Sequence, residues 1–383
     1  MGPTEVTHST VNDPSRSVAF DLHGLVSVRL VDAQSRDIRV VARQLGPIQS
    51  ELSGQADITI RFVDRLAHDE RVRFLGRHEA GFTDDAFLVL RSKHKAQTRA
   101  RIPLGQVGGR CEIVCEHGTP AVPLLIAIVN LTALVKGVLP LHAAAFDWMG
   151  SGVIVTGWSK GGKTEALLSF MSRGARYIAD EWCYIGPDGL RIFGLPEPVR
   201  LWRWQMAQLP QYRDRVPLFR RLNMAAMACV PALAEALPAP LQRSAFGRAA
   251  QRVAHFVEPR LNVQVPPERL FDQDVATAEA VFTHLVFVMS ADDPATTAVA
   301  DSGTEVADRM IHSLQYERQE LLGYYRMFRF AFPQLTNPHL ENVETLEREI
   351  LCNAFKDKPT LWVEHPYPVE LSRLFECIEP LIR

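Results

Sequence analysis

The strongest constraint on this chain is residues 152–164, Gly-Val-Ile-Val-Thr-Gly-Trp-Ser-Lys-Gly-Gly-Lys-Thr. Gly152–Thr156 read as a short buried strand. Gly157, Gly162, Lys163 and Thr164 then fall on the pattern G-x-x-x-x-G-K-[ST]. Glu165-Ala-Leu-Leu-Ser-Phe-Met follows with helical periodicity, so the motif sits between a strand and a helix start. That placement turns successive backbone N–H groups into a concave nest for phosphate oxygens and adds the partial positive charge of a helix N-terminus. The loop Gly157, Trp158, Ser159, Lys160, Gly161, Gly162, Lys163, Thr164 is therefore expected to wrap the phosphates of a nucleotide such as ATP. Lys163 is expected at the β/γ-phosphates and the Thr164 hydroxyl on Mg²⁺. The chain has seven lysines against thirty-five arginines, so a lysine at the required position is not an effect of composition.

The 383 residues allow two or three structural units. Residues 1–17 are polar and carry Gly2, Pro3 and Pro14, which predicts a flexible tail. Residues 18–138 read as an N-terminal antiparallel β-rich unit that ends in a core helix. Its candidate strands are Leu25–Leu30, Asp57–Phe62, Ala86–Leu90 and Cys111–Cys115. The apolar stretch Val122–Val135 contains Pro123, Asn130 and Thr132 and is too short for the roughly 20 residues that cross a bilayer. A buried helix with Pro123 in its first turn is expected there, and no membrane partner. Net charge is −2, which gives no global electrostatic reason for nucleic acid. The six cysteines are scattered without a CxxC pair, so free thiols in a cytoplasmic setting are expected. His78 and His94 are lone histidines and read as solvated surface.

Residues 139–383 read as the nucleotide-binding domain. A strand from Leu139 through His142 to Phe146, a turn at Trp148–Ser151 and the Gly152–Thr156 strand form a predicted hairpin. The helix from Lys163 is expected to stop at Gly174. Ala175–Glu181 is a short strand ending in two carboxylates, and Trp182–Ile185 with Leu190–Phe193 makes a second hairpin around Gly186–Gly189. Adjacent residues of a strand point to opposite faces, so a shared role for Asp180 and Glu181 requires the strand to have ended. Phosphoryl chemistry at a nucleotide loop needs such a carboxylate for metal or proton, and Asp180 ranks first. Residues from about 205 to 257 are Ala- and Arg-rich and interrupted by prolines, Pro240 among them. They predict a solvated helical insertion carrying Arg213, Arg215, Arg220, Arg221, Arg243, Arg248 and Arg252, with an anion-binding or partner-docking lid as the alternative. Thr283–Met289 reads as a buried strand, Glu305–Phe330 and Asn342–Phe355 as helices. A strand at Thr360–Glu364 and a helix over Val369–Ile382 close the chain.

His142-Ala-Ala-Ala-Phe, the loop Gly157–Thr164, Glu165 and Arg173-Gly-Ala-Arg-Tyr-Ile-Ala-Asp180-Glu181 together resemble the catalytic domain of HPr kinase/phosphorylase. That family is similar at its nucleotide site to ATP-dependent phosphoenolpyruvate carboxykinase. The resemblance covers about residues 139–186. It implies an α/β (α+β) fold, a PEP carboxykinase/HPr kinase-like P-loop core with the β-rich unit in front and the helical insertion within. It further implies that Asp180 is the base for an acceptor hydroxyl and, with Thr164, a Mg²⁺ ligand. His142 would lie near the phosphates, Glu165 would follow the loop hydroxyl, and Glu181 stands where the family has a second Asp. Lys160 replaces a loop glycine and Trp158 an Asp, and the family's later R-G-L-G-like segment has no counterpart. Arg200 is a further phosphate-contact candidate, with structural ion pairing as the alternative.

The expected activity is ATP- and Mg²⁺-dependent phosphoryl transfer to a hydroxyl on a protein, peptide or small molecule. The catalytic set is Asp180, Lys163, His142 and Glu181. A non-catalytic or slowly hydrolysing ATP-binding regulator and a carboxykinase-like enzyme are the alternatives, and self-association into a homo-oligomer stays open.

Overall fold

The computed structural model describes residues 18–66, 72–75, 80–89, 99–235, 238, 241, 244–257, 261–275 and 277–383. The expected tail 1–17, His78, Leu90, His94, Pro240 and Arg243 lie outside the described residues. In Val26–Val31, Ile58–Val63 and Cys111–Glu116 every second residue is buried, as an alternating sequence with one face on a core requires. The strands are β1 Ala19–Leu22, β2 Val26–Val31, β3 Gln49–Ser50, β4 Ile58–Val63, β5 Arg73–Leu75, β6 Ala80–Phe82, β7 Ala86–Val89, β8 Ala100–Pro103 and β9 Cys111–Glu116. Their order is β3-β1-β2-β4-β9-β8-β7-β6-β5.

This sheet is mixed, which corrects the antiparallel expectation: β2 runs parallel to β4, and β4 to β9. Parallel neighbours need a crossover, and helix α1, Ser35–Leu45, supplies one between β2 and β4. Its core-facing stripe is Ile38, Val41, Ala42 and Leu45 with Val40 beside it, set among Arg36, Asp37, Arg39 and Arg43, in eleven residues between strongly alternating strands. Helix α2, Leu125–Val135, starts after Leu124, whose φ is 57°, so Pro123 precedes the helix and does not sit in its first turn.

The second sheet contains β10 Leu139–His142, β11 Ala144–Trp148, β12 Ser151–Thr156, β13 Arg176–Ala179, β14 Trp182–Ile185, β15 Arg191–Gly194, β18 Glu279–Ser290, β19 Thr297–Asp301 and β20 Thr360–His365. Its main path is β10-β14-β15-β18-β12-β11-β13, with β20 added to β18 and β19 to β20. The strand expected from Leu139 to Phe146 is two strands: β10 pairs with β14, whereas β11 pairs with β12. The division falls at Ala143, whose N–H donates to the Glu181 carbonyl at 3.2 Å. Met149 and Gly150, with φ of 55° and 90°, close the β11–β12 hairpin as a type I′ turn. β12, β18 and β20 are mutually parallel, so the loop after β12 opens at their carboxyl edge, where open parallel sheets bind ligands. Helix α3, Lys163–Met171, begins there.

The two sheets share one apolar interior, and the second sheet has another of its own around Phe146, Phe170 and Leu374. One apolar cluster runs from Phe20 in the first sheet to Phe355 near the C-terminus, and the Phe82 and Phe328 rings meet at 6.3 Å. The expected helix 305–330 is two helices, Gly303–Glu317 and Gln319–Ala331, meeting at Arg318. The closing helix is shorter than expected, Leu371–Ile378. The helical insertion is present as Arg203–Gln208, Pro210–Arg213, Leu218–Glu235 and Ala245–Val257. It hangs between β16 Val199–Trp202 and β17 Asn262–Val265, which pair antiparallel. Among the described residues no helix is long and apolar enough to cross a membrane, and the six cysteines are unpaired.

β15 crosses behind the strand that delivers Asp180. A Cβ on Gly194 would stand 1.7 Å from the Ile178 carbonyl oxygen, so only glycine lets the two backbones approach. Gly194→Ala is expected to cost about 1–3 kcal/mol through forced backbone shifts, measured as a lower urea midpoint at unchanged slope.

Candidate active site

The loop backbone turns through positive φ at Gly157 (151°), Lys160 (64°) and Gly162 (110°). Lys160 is thus a side-chain-bearing residue held in the left-handed region, at the position where the loop departs from its resembled pattern. The two glycines are also required by contact. A Cβ would stand 2.3 Å from the Val288 carbonyl oxygen at Gly157 and 2.1 Å from His365 Nε2 at Gly162. Lys163 is buried, and its Nζ donates to the carbonyls of Gly157 (3.2 Å) and Trp158 (3.0 Å). Burial lowers its pKa against the opposing pull of Glu181, Glu317, Asp180 and Glu165.

Thr164 Oγ1 donates to Asp180 Oδ1 at 2.8 Å. Buried Glu165 accepts from Gln205 Nε2 at 2.9 Å, tying α3 to the first helix of the insertion, and burial raises its pKa. β13 ends at Ala179 and β14 begins at Trp182, so Asp180 and Glu181 occupy the break between strands. The alternation that would separate them has ended, and both carboxylates belong to one cluster. Burial, then the negative charge of Glu181, pushes Asp180 up to about 7, with Thr164 opposing. Burial also pushes Glu181 up, but the hydrogen bond and charge of His142, with Arg200 and Lys163, outweigh it and hold the pKa below the ordinary value.

His142 is clamped between two acids, Nε2 to Glu181 at 3.1 Å and Nδ1 to Glu317 at 2.7 Å. Burial favours the neutral ring, yet the two carboxylates outweigh it and raise the pKa. Arg200 is exposed on β16, where its charge reaches Glu181. Trp158 is exposed at the loop mouth with its ring 5.1 Å from that of Tyr316. Lys160 is exposed, and Ser159 and Gly161 are half-buried.

Three residues of the cluster carry no sequence signal. Glu317 stands 175 positions from His142. Glu197 has an Oε2 without a hydrogen-bond partner and is pushed up to about 8 by burial and by the charges of Glu181 and Asp180. His365, fully buried at the end of β20, places Nε2 2.9 Å from the Gly161 carbonyl and Nδ1 2.8 Å from that of Pro366. His365→Ala strands the Gly161 carbonyl and is expected to cost about 1–3 kcal/mol of stability, checked by chemical denaturation.

The site therefore holds one buried lysine, a hydroxyl touching a carboxylate at a helix start, and an excess of negative charge. Hard oxygen donors such as Thr164 Oγ1 and the Asp180 carboxylate suit Mg²⁺, which keeps waters and phosphate oxygens in its shell. A divalent cation would offset the repulsion that raises Asp180. The positive-φ loop and the first turn of α3 suit a polyphosphate. The donor set thus fits both groups.

No family model matches the chain. The sequence is 28% identical over 142 residues to the HPr kinase/phosphorylase of Paraburkholderia phymatum, covering 32% of this chain and 44% of that protein. It is 29% identical over 142 residues to the proteins of that name from Burkholderia cenocepacia and Burkholderia mallei, with the same coverage. The chain thus spans less than half the length of the curated relatives it matches.

Proposed function

We propose that this chain, a divergent HPr kinase-like sequence over its matched stretch, is an ATP-dependent kinase that moves the γ-phosphoryl group to a hydroxyl acceptor. The observation that carries the reading is the contact of Thr164 with Asp180 at the start of α3, beside buried Lys163. The loop N–H groups and Lys163 would hold the β- and γ-phosphates and stabilise charge as it spreads over the transferring oxygens. Thr164 and Asp180 would hold Mg²⁺, which would supply positive charge against the phosphates. Asp180, oriented by the Thr164 hydroxyl, would take the proton of the attacking hydroxyl. Glu181 and Glu317 hold the His142 ring between them and favour its protonated form, and Arg200 adds charge at the rim.

The test is incubation of the full chain with γ-labelled ATP, Mg²⁺ and a cell extract, beside Asp180→Asn. Label transfer to a protein or metabolite that disappears in the variant supports the kinase. ATP binding without transfer in either protein supports the second reading, a nucleotide-binding regulator. The observation favouring that reading is Lys160, whose left-handed backbone with a side chain restrains the loop where a glycine would flex.

A further inference from the structure

Two large aromatic side chains stand open to solvent at the mouth of the nucleotide loop. Trp158 is 49% exposed and Tyr316 47%, although their rings meet, with centroids 5.1 Å apart and planes at 41°. They come from separate elements, Trp158 from the loop after β12 and Tyr316 from the last turn of the helix Gly303–Glu317. The backbone on either side ties the pair to the site. The Trp158 carbonyl accepts from Lys163 Nζ at 3.0 Å, and Glu317, next after Tyr316, lies 2.7 Å from His142 Nδ1. In a loop of this pattern the lysine reaches the β- and γ-phosphates, while the backbone leading into the helix cradles the phosphates nearer the base. Trp158 is at the opposite end of the loop from α3 and so lies toward the γ-phosphate, the side an acceptor must approach.

We infer that Trp158 and Tyr316 are the platform for a planar, uncharged ring on the phosphoryl acceptor. The inference rests on the kinase reading and names the class of its acceptor, a hydroxyl carried close to an aromatic or heteroaromatic ring. Aromatic rings gain from offset-stacked or edge-on contact with another ring beyond the area they bury, which a saturated ring cannot supply. The neighbouring charges select against an ionised ring. Lys160, exposed and two residues beyond Trp158, opposes a cationic one, and Glu317, half-buried and next to Tyr316, opposes an anionic one. The Asp that stands at position 158 in the resembled pattern would offer no such surface, so the platform belongs to this chain's own loop.

The experiment is an NMR titration of the full chain with 2-phenylethanol and, separately, with 2-cyclohexylethanol. It is read at the Trp158 indole N–H signal, which Trp158→Phe identifies by its loss. 2-Phenylethanol is expected to saturate with a dissociation constant on the order of 10 mM, and the cyclohexyl alcohol to bind at least about threefold more weakly. Tyr316→Ala, at an exposed position, should weaken binding by about fivefold, whereas Tyr316→Phe keeps the ring and should retain it. Binding should persist with Mg²⁺ and either tripolyphosphate or ADP present. Displacement by ADP alone would assign the rings to the nucleotide base, and displacement by both would place them in the phosphate site; either overturns the inference. So does absence of saturation at about tenfold higher concentration, equal or tighter binding of the cyclohexyl alcohol, or undiminished binding in Tyr316→Ala. Calorimetric titration of ADP and tripolyphosphate reads the phosphate loop separately, so failure of the kinase reading gives a different result from failure of the ring site.

Discussion

Asp180→Asn is expected to reduce phosphoryl transfer by about 10²–10⁴-fold, the range for loss of a positioned general base, and to make the metal-free protein more stable at pH 8. The two effects share one cause. Asp180 is buried against Glu181, and the Thr164 hydroxyl and the Lys163 charge only partly compensate. Its folded pKa, about 7, exceeds the unfolded value near 3.9. The folded state therefore binds the extra proton, and Asp180's stabilising contribution is full below pH 4 and lost as pH rises through about 7. Thermal midpoints in chelator should fall between pH 5 and pH 8 in the wild type, and less steeply in the variant. Asn keeps an oxygen for the Thr164 hydroxyl and carries no charge to repel Glu181. A variant that is inactive and destabilised at pH 8 would show instead that Asp180 holds the fold together. Retained transfer would remove it from the reaction.

Lys163→Met is expected to lower kcat/KM by about 10²–10³-fold, or roughly 2.7–4 kcal/mol, the scale for removing one preorganised charge-stabilising donor. Lys163 is the buried cation at the loop, and Glu181, Glu317, Asp180 and Glu165 surround it. Its Nζ donates to the carbonyls of Gly157 and Trp158, which a polyphosphate would replace as partners. Methionine preserves the buried stem and isolates the charge. Steady-state kinetics with the labelled acceptor and calorimetric titration of ATP separate loss of binding from loss of rate. The comparison is Lys160→Ala, at an exposed loop residue, where less than about tenfold is expected. Equal effects at both positions would mean that only overall loop charge matters.

Much of the site is readable along the chain because its parts are local. A strand, a glycine-bearing turn and a helix start dictate where Gly157–Thr164 must go, and Asp180 follows at the end of the next strand. The break that lets Asp180 and Glu181 share a cluster was legible only as a condition, since whether a strand ends at Ala179 depends on β14 pairing with β10. The crossover α1 carries its own signal, Ile38, Val41, Ala42 and Leu45 at helical spacing, but it is short and lies inside a run of alternating strands whose pattern dominates the stretch. The helix break at Arg318 was hidden for a related reason: apolar periodicity continues through it, and the ion pair with Glu347 is contributed by a different helix.

A strand–loop–helix with a phosphate-binding pattern follows from residues 152–164 alone, because short-range backbone geometry and hydrogen bonding leave few alternatives for that string of residues. The groups around it are brought there by long-range packing. His142 meets Glu317 across 175 positions, and His365 meets the Gly161 carbonyl across 204. Such pairs arise from strand order and packing of distant helices, for which neither residue carries a local signature.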